Sequence, residues 1–338
     1  MIHLLYTGGT LGMVRGQDGA LVPAGIDGLL AGVPELRQIA ACDYFTLEPP
    51  RDSVDIGPAD WLAMARHIGE RYAAYDGFVI LHGTDTMAYT AAALSFLLDG
   101  LHKPVILTGA QLPIGEVRND ARNNLITAVE LAACGHPQTA EVGIFFNDRL
   151  LRGNRAVKRS IFAFDAFDSP NCPPLARVGA GILFDPTCPL PPQPEQLTVH
   201  QGLDTGVALL KLFPGLSPAL LSYLIEGPIR GLVLETFGSG NVPATGGDSD
   251  PDLVEVLTRA VAERDLLIVA VSQQWQGRVQ LDAYAAGRRL LDAGVLCGHD
   301  MTSHTALVKL MFLLGQDLSP DQRRRGLTAN LHGELTPP

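Results

Sequence analysis

The sequence predicts an α/β protein with a larger N-terminal parallel-sheet domain and a smaller C-terminal α/β domain. Three observations predict it. Short apolar runs alternate with helix-like stretches in both halves, and a proline-dense stretch interrupts the alternation. The 338 residues are 46% hydrophobic and only 18% charged, which supplies material for buried sheets.

The apolar runs come first. Residues 2–6 form one, stopped by Gly8-Gly9, and 78–81, 105–107 and 142–146 are further runs of buried-strand type. Between them, Pro58 suits a first helical position and Trp61, Ala65, Ile68 and Tyr72 fall on one face. A second helix is predicted from near Thr84 through Leu98, and a third from the caps Asn119 and Asp120 to near Gly135. Strands alternating with helices indicate right-handed βαβ units. Residues 185–198 then carry five prolines, which no ordinary helix or central strand accepts. The predicted domains are therefore 1–184 and 206–338, with 185–205 as linker. In the second, strands are predicted at 207–212, 231–235 and 266–271, and helices at 217–224 and from Pro251. The closing helix places Leu307, Leu310, Met311 and Leu314 at core spacing.

Charge and cysteine usage exclude several functions. A net charge of −11, with 36 acidic and 25 basic residues, argues against a nucleic-acid groove or an anionic membrane surface. Arg323-Arg324-Arg325 reads as a solvated face of a terminal helix. The five cysteines are scattered without a C-x-x-C pair, the nine histidines are dispersed, and no H-E-x-x-H occurs, so no metal or other cofactor is expected. No apolar run approaches the roughly 20 residues of a membrane span. The N-terminus shows neither a basic nor a long apolar segment, so a soluble cytoplasmic protein is expected.

In open parallel sheets, ligands sit at the carboxyl ends of strands. Following the first run comes Thr7-Gly8-Gly9-Thr10-Leu11-Gly12, where glycines let backbone approach a ligand and present the threonine behind them. A dinucleotide reading is disfavoured, because the spacing is not G-x-G-x-x-G and no acidic residue ends the second strand. After 78–81 comes His82-Gly83-Thr84-Asp85-Thr86-Met87, which would open a helix. A hydroxyl, a carboxylate and a helix N-terminus there suit a zwitterion, while the plainer reading makes Thr84 and Asp85 helix caps. His82 reads as a strand-end packing residue. Lys158 follows the 142–146 run. It is either solvated or, partly desolvated beside a hydroxyl, a general base.

Together, Thr7–Gly12 (TGGTLG), His82–Met87 (HGTDTM), Thr108-Gly109-Ala110-Gln111-Leu112-Pro113 and the stretch from Gly153 to Lys158 resemble the bacterial-type L-asparaginases, specifically the cytoplasmic type I group. Further likeness lies in Ala88-Tyr89-Thr90, Phe164-Asp165-Ala166-Phe167, Ser169-Pro170-Asn171 and the closing Gly333-Glu334-Leu335-Thr336-Pro337, so it spans essentially the whole chain. The resemblance implies hydrolysis of L-asparagine to L-aspartate and ammonia through an acyl-enzyme on Thr10. It further implies Thr84 and Asp85 as second threonine and gripping carboxylate, and Lys158 as the lysine paired with that threonine. Substrate is bound through Asp52, Ser53 and Val54, chiefly Ser53, with Thr84, Asp85 and the Ala110 carbonyl. Asn241 is lent by the neighbouring subunit of a homodimer or homotetramer with shared active sites.

Two departures stand out. Family members carry a tyrosine on the mobile loop after TGGT, whereas this loop has Ala20 or Leu21 in its place. Tyr6 precedes TGGT but should end the first strand. His304 stands where relatives have an acidic residue, and its role is open, as is a glutaminase side activity. Competing readings are a weakly active or regulatory amino-acid-binding homologue and an asparaginase-like amidotransferase subunit. The latter carries an extra N-terminal domain, whereas here the first strand begins at Ile2.

Overall fold

A computed structural model describes residues 1–15, 21–23, 25–187, 189–243 and 252–337. The chain forms two compact units, Met1–Gln201 and Gly202–Pro338. Both are mixed helix and strand, as predicted.

The first unit is built on an eight-stranded sheet of β1 (Ile2–Gly8), β2 (Cys42–Arg51), β3 (Gly77–Leu81), β4 (Val105–Thr108), β5 (Val142–Phe146), β6 (Arg149–Arg152), β7 (Ala176–Val178) and β8 (Ile182–Phe184). The spatial order is β8-β7-β6-β5-β4-β3-β1-β2. The strands from β2 to β5 run parallel, and the β6–β8 edge is antiparallel. Every residue of β1, β3 and β5 is buried, the mark of strands covered on both faces. The sequence reading missed β2. It is an edge strand, largely exposed, and carries Pro49 and Pro50, which only an edge tolerates.

Helices α1 (Pro58–Arg71), α2 (Met87–Leu97) and α3 (Ala121–Ala133) return the chain between strands. The predicted start of α2 near Thr84 is early by three residues, because residues 84–86 bend before the helix begins. Asn119 caps α3 by accepting from Arg122 N (3.1 Å), while Asp120 turns away. The proline-rich stretch packs within this unit. The His102 ring meets the Pro194 carbonyl at 2.8 Å, and Thr198–Val199 pairs with Leu98–Asp99.

The second unit has four parallel strands, β9 (Val207–Lys211), β10 (Gly231–Thr236), β11 (Leu267–Ser272) and β12 (Leu296–Cys297), adjacent in that order. Its helices are α4 (Pro218–Glu226), α5 (Leu253–Arg264), α6 (Ala285–Asp292), α7 (Ser303–Gly315) and α8 (Pro320–Thr328). Ser217, Asp252, Thr302 and Ser319 cap four of them through side-chain oxygens. Pro251, the predicted start of α5, lies outside the described residues. On α7, Leu310 and Leu314 are buried as expected, but Leu307 and Met311 are only half-buried.

That same helix buries a charge. Lys309 Nζ meets Glu334 Oε1 at 2.6 Å with both side chains fully enclosed, and donates also to the carbonyls of Leu327 (3.1 Å) and Ala329 (2.5 Å). Burial opposes the Glu334 charge, but Lys309 and the amides of Leu331 and His332 outweigh it and hold the carboxyl below its usual range. The expected solvated arginine face is partly tied down: Arg324 donates to the Gly294 carbonyl (2.8 Å) and Arg323 to that of Gln316 (3.4 Å).

Candidate active site

The sheet's carboxyl ends gather the residues singled out in the first unit. At the tip of β1, Gly8 and Gly9 take φ of 119° and 85°, which L side chains rarely adopt. Gly9 opens a single 3-10 turn, Thr10–Gly12, closed by Met13 N donating to the Thr10 carbonyl. Thr10 is half-buried on this turn. Tyr6 lies inside β1, fully buried, with its hydroxyl directed at Gly12; burial pushes its phenol pKa up.

Neighbouring β3 ends in the second turn. A Cβ on Gly9 would lie 2.5 Å from Gly83 Cα, so the two strand tips touch through backbone, and a Cβ on Gly83 would lie 2.7 Å from Ser53 Oγ. Ser53, 1% exposed, is thereby wedged beside the turn. Its Oγ accepts from Asp85 N (3.3 Å) and its carbonyl from Thr86 Oγ1 (2.5 Å). Thr86, not Thr84 or Asp85, occupies the N-cap position of α2, which removes the capping role that the sequence left open for those two residues.

Lys158 reaches the same turn from a short antiparallel strap, Val157–Lys158 paired with Phe167–Asp168. Its ammonium donates to Thr84 Oγ1 (2.7 Å) and Asp85 Oδ1 (2.6 Å). The lysine side chain is 15% exposed and the aspartate 56%, so the ammonium lies inward and the carboxylate toward solvent. Lys158 is thus partly desolvated beside a hydroxyl rather than solvated. Arg149 stiffens the strap, donating to Asp168 Oδ1 (2.9 Å), the Phe167 carbonyl (3.1 Å) and Asp165.

Ala110, buried, follows β4 on a loop pinned by Asp120, whose carboxylate accepts from Gln111 N (2.9 Å) and Leu112 N (3.0 Å). Asn124 joins in by donating to the Gly109 carbonyl (2.9 Å). Asp52 is exposed and caps its own turn by accepting from Val54 N (3.2 Å). The Val54 side chain is 64% exposed and turned to solvent. Asn241 belongs to the second unit, in a tight turn where its N–H donates to the Phe237 carbonyl (2.8 Å). Residues 16–20, the part of the loop after TGGT that carries Ala20, lie outside the described residues, as do the Leu21 side chain and Cys188. His304 is the second residue of α7, and burial holds its pKa down. Among the described residues, no group of three or more His, Cys, Asp or Glu could hold a metal ion.

Sequence reasoning missed a buried chain of polar groups beneath the second turn. Trp61 Nε1 donates to Thr90 Oγ1 (3.0 Å), Thr90 Oγ1 meets His82 Nε2 (2.9 Å), and His82 Nδ1 meets the Gly83 carbonyl (2.6 Å). His82 is fully enclosed, and burial lowers its pKa to about 4. Trp61 and Thr90 both face the sheet, but nothing in a helical pattern says which polar tips meet.

Fold and site together define a two-unit α/β enzyme with hydroxyl, ammonium and carboxylate groups converging at strand ends. The chain belongs to the asparaginase family: the "Asparaginase, N-terminal" profile matches residues 1–187 and the "Glutaminase/Asparaginase C-terminal domain" profile residues 206–327. It is 41% identical to L-asparaginase 1 of Escherichia coli strain K12, covering 99% of this chain and 98% of that one. It is 42% identical to the human 60 kDa lysophospholipase over 99% of this chain and 61% of the longer human protein. The crystal structure of L-asparaginase I from Vibrio cholerae superposes with a TM-score of 0.88 at 39% identity, over 99% of this chain and 98% of that one. No helix among the described residues is long and apolar enough to cross a membrane.

Proposed function

We propose that this enzyme hydrolyses L-asparagine to L-aspartate and ammonia in the cytoplasm, through an ester formed on Thr10. The observation that carries the reading is the Lys158 ammonium shared between Thr84 Oγ1 and Asp85 Oδ1, on a turn whose backbone touches the turn bearing Thr10. An amide is a poor electrophile, so an oxygen nucleophile with a paired base and converging donors is the chemistry it demands. Thr10 Oγ attacks the side-chain carbonyl carbon, the C–N bond breaks, and ammonia leaves with the hydroxyl proton. Water then attacks the ester. Thr84 accepts its proton and relays it to Lys158, whose own proton passes to Asp85; as the ester C–O bond breaks and aspartate leaves, that proton returns along the same groups to Thr10 Oγ and regenerates the hydroxyl.

Asp85 Oδ2 faces the substrate ammonium while Oδ1 holds Lys158. The substrate carboxylate is bound at the Asp52-Ser53-Val54 turn, chiefly through Ser53, and the Ala110 carbonyl meets the amide nitrogen. Residues 1–184 carry the catalytic groups, and 206–338, beyond the 185–205 linker, supplies Asn241 to a neighbouring subunit in a homodimer or homotetramer.

Ammonia release is the test, with asparagine and glutamine compared, and lysophosphatidylcholine as an ester control suggested by the human relative's name. Asparagine turnover with an aspartyl adduct on the Thr10 peptide after acid quench is the expected result. Thr10→Ala should lose about 10⁴-fold in turnover. Ordinary hydrolysis by that variant, or fatty-acid release without ammonia, would refute the proposal.

A further inference from the structure

We infer that His82 is a positioning residue, the last member of a one-way hydrogen-bond relay from Trp61 through Thr90 that fixes the Gly83–Thr84 peptide and thereby aims Thr84. The inference rests on the catalytic role proposed above for Thr84.

The direction of the relay follows from what each group can do. An indole N–H only donates, so Trp61 Nε1 gives its hydrogen to Thr90 Oγ1 at 3.0 Å. The Gly83 carbonyl can only accept, so the His82 Nδ1 beside it at 2.6 Å carries the ring hydrogen and donates it. A neutral imidazole has one donor and one acceptor, so Nε2 accepts, and the single hydrogen of the Thr90 hydroxyl 2.9 Å away is directed to it. Trp61, unable to accept, leaves that hydrogen free for the histidine by filling an acceptor position of the same hydroxyl. The ring is 0% exposed, and its burial keeps it neutral.

The site needs such a device because Gly83 has no side chain and room for none. A Cβ there would strike Ser53 Cβ and Oγ, each at 2.7 Å, and Gly9 presses against the other side. Glycine is also the residue with the widest backbone freedom. Its orientation can be set only through its own carbonyl. In a trans peptide C=O and N–H point to opposite sides. Holding the Gly83 oxygen against His82 therefore turns the Thr84 N–H away from the ring. Thr84 Cα moves with that plane, and with it the hydroxyl that Lys158 grips at 2.7 Å. His82 touches no reacting atom; it acts through the peptide.

The full-length protein tests this with Thr90→Val, Thr90→Ser and Trp61→Phe. Thr90→Val keeps shape but removes the hydrogen that His82 Nε2 accepts and so frees the ring at that end. It should lower kcat for ammonia release about 10²-fold with KM changed less than about threefold. Thr90→Ser, which restores the hydroxyl, should recover kcat to within about threefold of the parent. In ¹⁵N-histidine spectra, with His82 identified by its loss in His82→Gln, the parent should show the Nδ1–H tautomer between pH 6 and 8. Thr90→Val should keep the Nδ1–H tautomer, because the Gly83 carbonyl still accepts, and show the Nε2 resonance shifted by loss of its donor. Should Thr90→Val fold poorly, Trp61→Phe gives the same readouts, with a smaller Nε2 shift and a smaller kcat loss.

Three results overturn the relay: an Nε2–H tautomer in the parent, unchanged kcat in Thr90→Val despite the shifted Nε2 resonance, or equal loss in the Val and Ser variants. Failure of the parent to release ammonia from asparagine would instead sink the substrate assignment. The tautomer spectra decide the relay either way.

Discussion

Thr10 and Thr84 stand at the ends of adjacent strands of one sheet, β1 and β3, yet they are held in opposite ways. The turn of Thr10 is backbone alone, two glycines with positive φ and one 3-10 turn. The turn of Thr84 is enclosed, with a histidine beneath it, a buried serine beside it and a lysine strapped across it. A nucleophile that must attack and then be released profits from a support that can shift. A hydroxyl that passes protons must keep its distance to a base within tenths of an ångström. Under the mechanism proposed above, the two threonines match those two needs.

Experiments can break this contrast, beginning with the largest effect. Thr84→Val and Lys158→Met should each cost about 10²–10⁴-fold in kcat, and the double variant little more than the worse single one, because the two side chains act as one unit. Additive losses in steady-state kinetics would mean that Lys158 acts elsewhere. On the other turn, Gly9→Ala places a methyl against Gly83 and strains a φ of 85°. A loss near 10²-fold in kcat/KM and about 1–3 kcal/mol of stability is expected. Gly25→Ala serves as control, since its φ of 78° is similar but nothing lies within 4 Å of the added carbon. It should lose stability without losing rate. Equal rate losses at both positions would show that strain, not contact between turns, matters.

Acid gives the third and smallest effect. His82 and His67 are both held by burial at about 4, with the charges of Arg71 and His3 adding to the effect at His67. The unfolded chain takes up protons from pH 6.5 downward and the folded chain does not. Stability present above 6.5 is therefore lost as pH falls toward 4, by about 2 kcal/mol per histidine at pH 5. Urea midpoints should fall accordingly, and His67→Phe should blunt the decline. A flat profile between pH 6.5 and 5 would mean that these rings are already charged in the fold.

What could be read from the chain beforehand follows the range of the interactions. The β1 and β3 tips were legible because a run of apolar residues ending in glycine and threonine is a local pattern. The strand β2 was not, since its solvent-facing residues and paired prolines look like a loop until a neighbour supplies hydrogen bonds. Asp120 reads as a helix cap, but its carboxylate serves Gln111 and Leu112, a choice made by the loop that arrives from β4. The Trp61–Thr90–His82 chain joins a helix, a second helix and a strand end. Each member has an ordinary local explanation, and only the fold brings their polar tips together.

The enclosed ammonium of Lys309 sets the order in which the second unit can be assembled. Its carboxylate partner arrives 25 positions later, at Glu334, after α8 has been made. Until the ribosome has released that stretch, closing α7 onto β9–β11 would trap an uncompensated cation at a cost of about 3–5 kcal/mol. The growing polypeptide must therefore keep this half loose until position 334 has emerged. Shortening it between positions 328 and 334 removes the counter-charge while leaving every described strand and helix of the unit present.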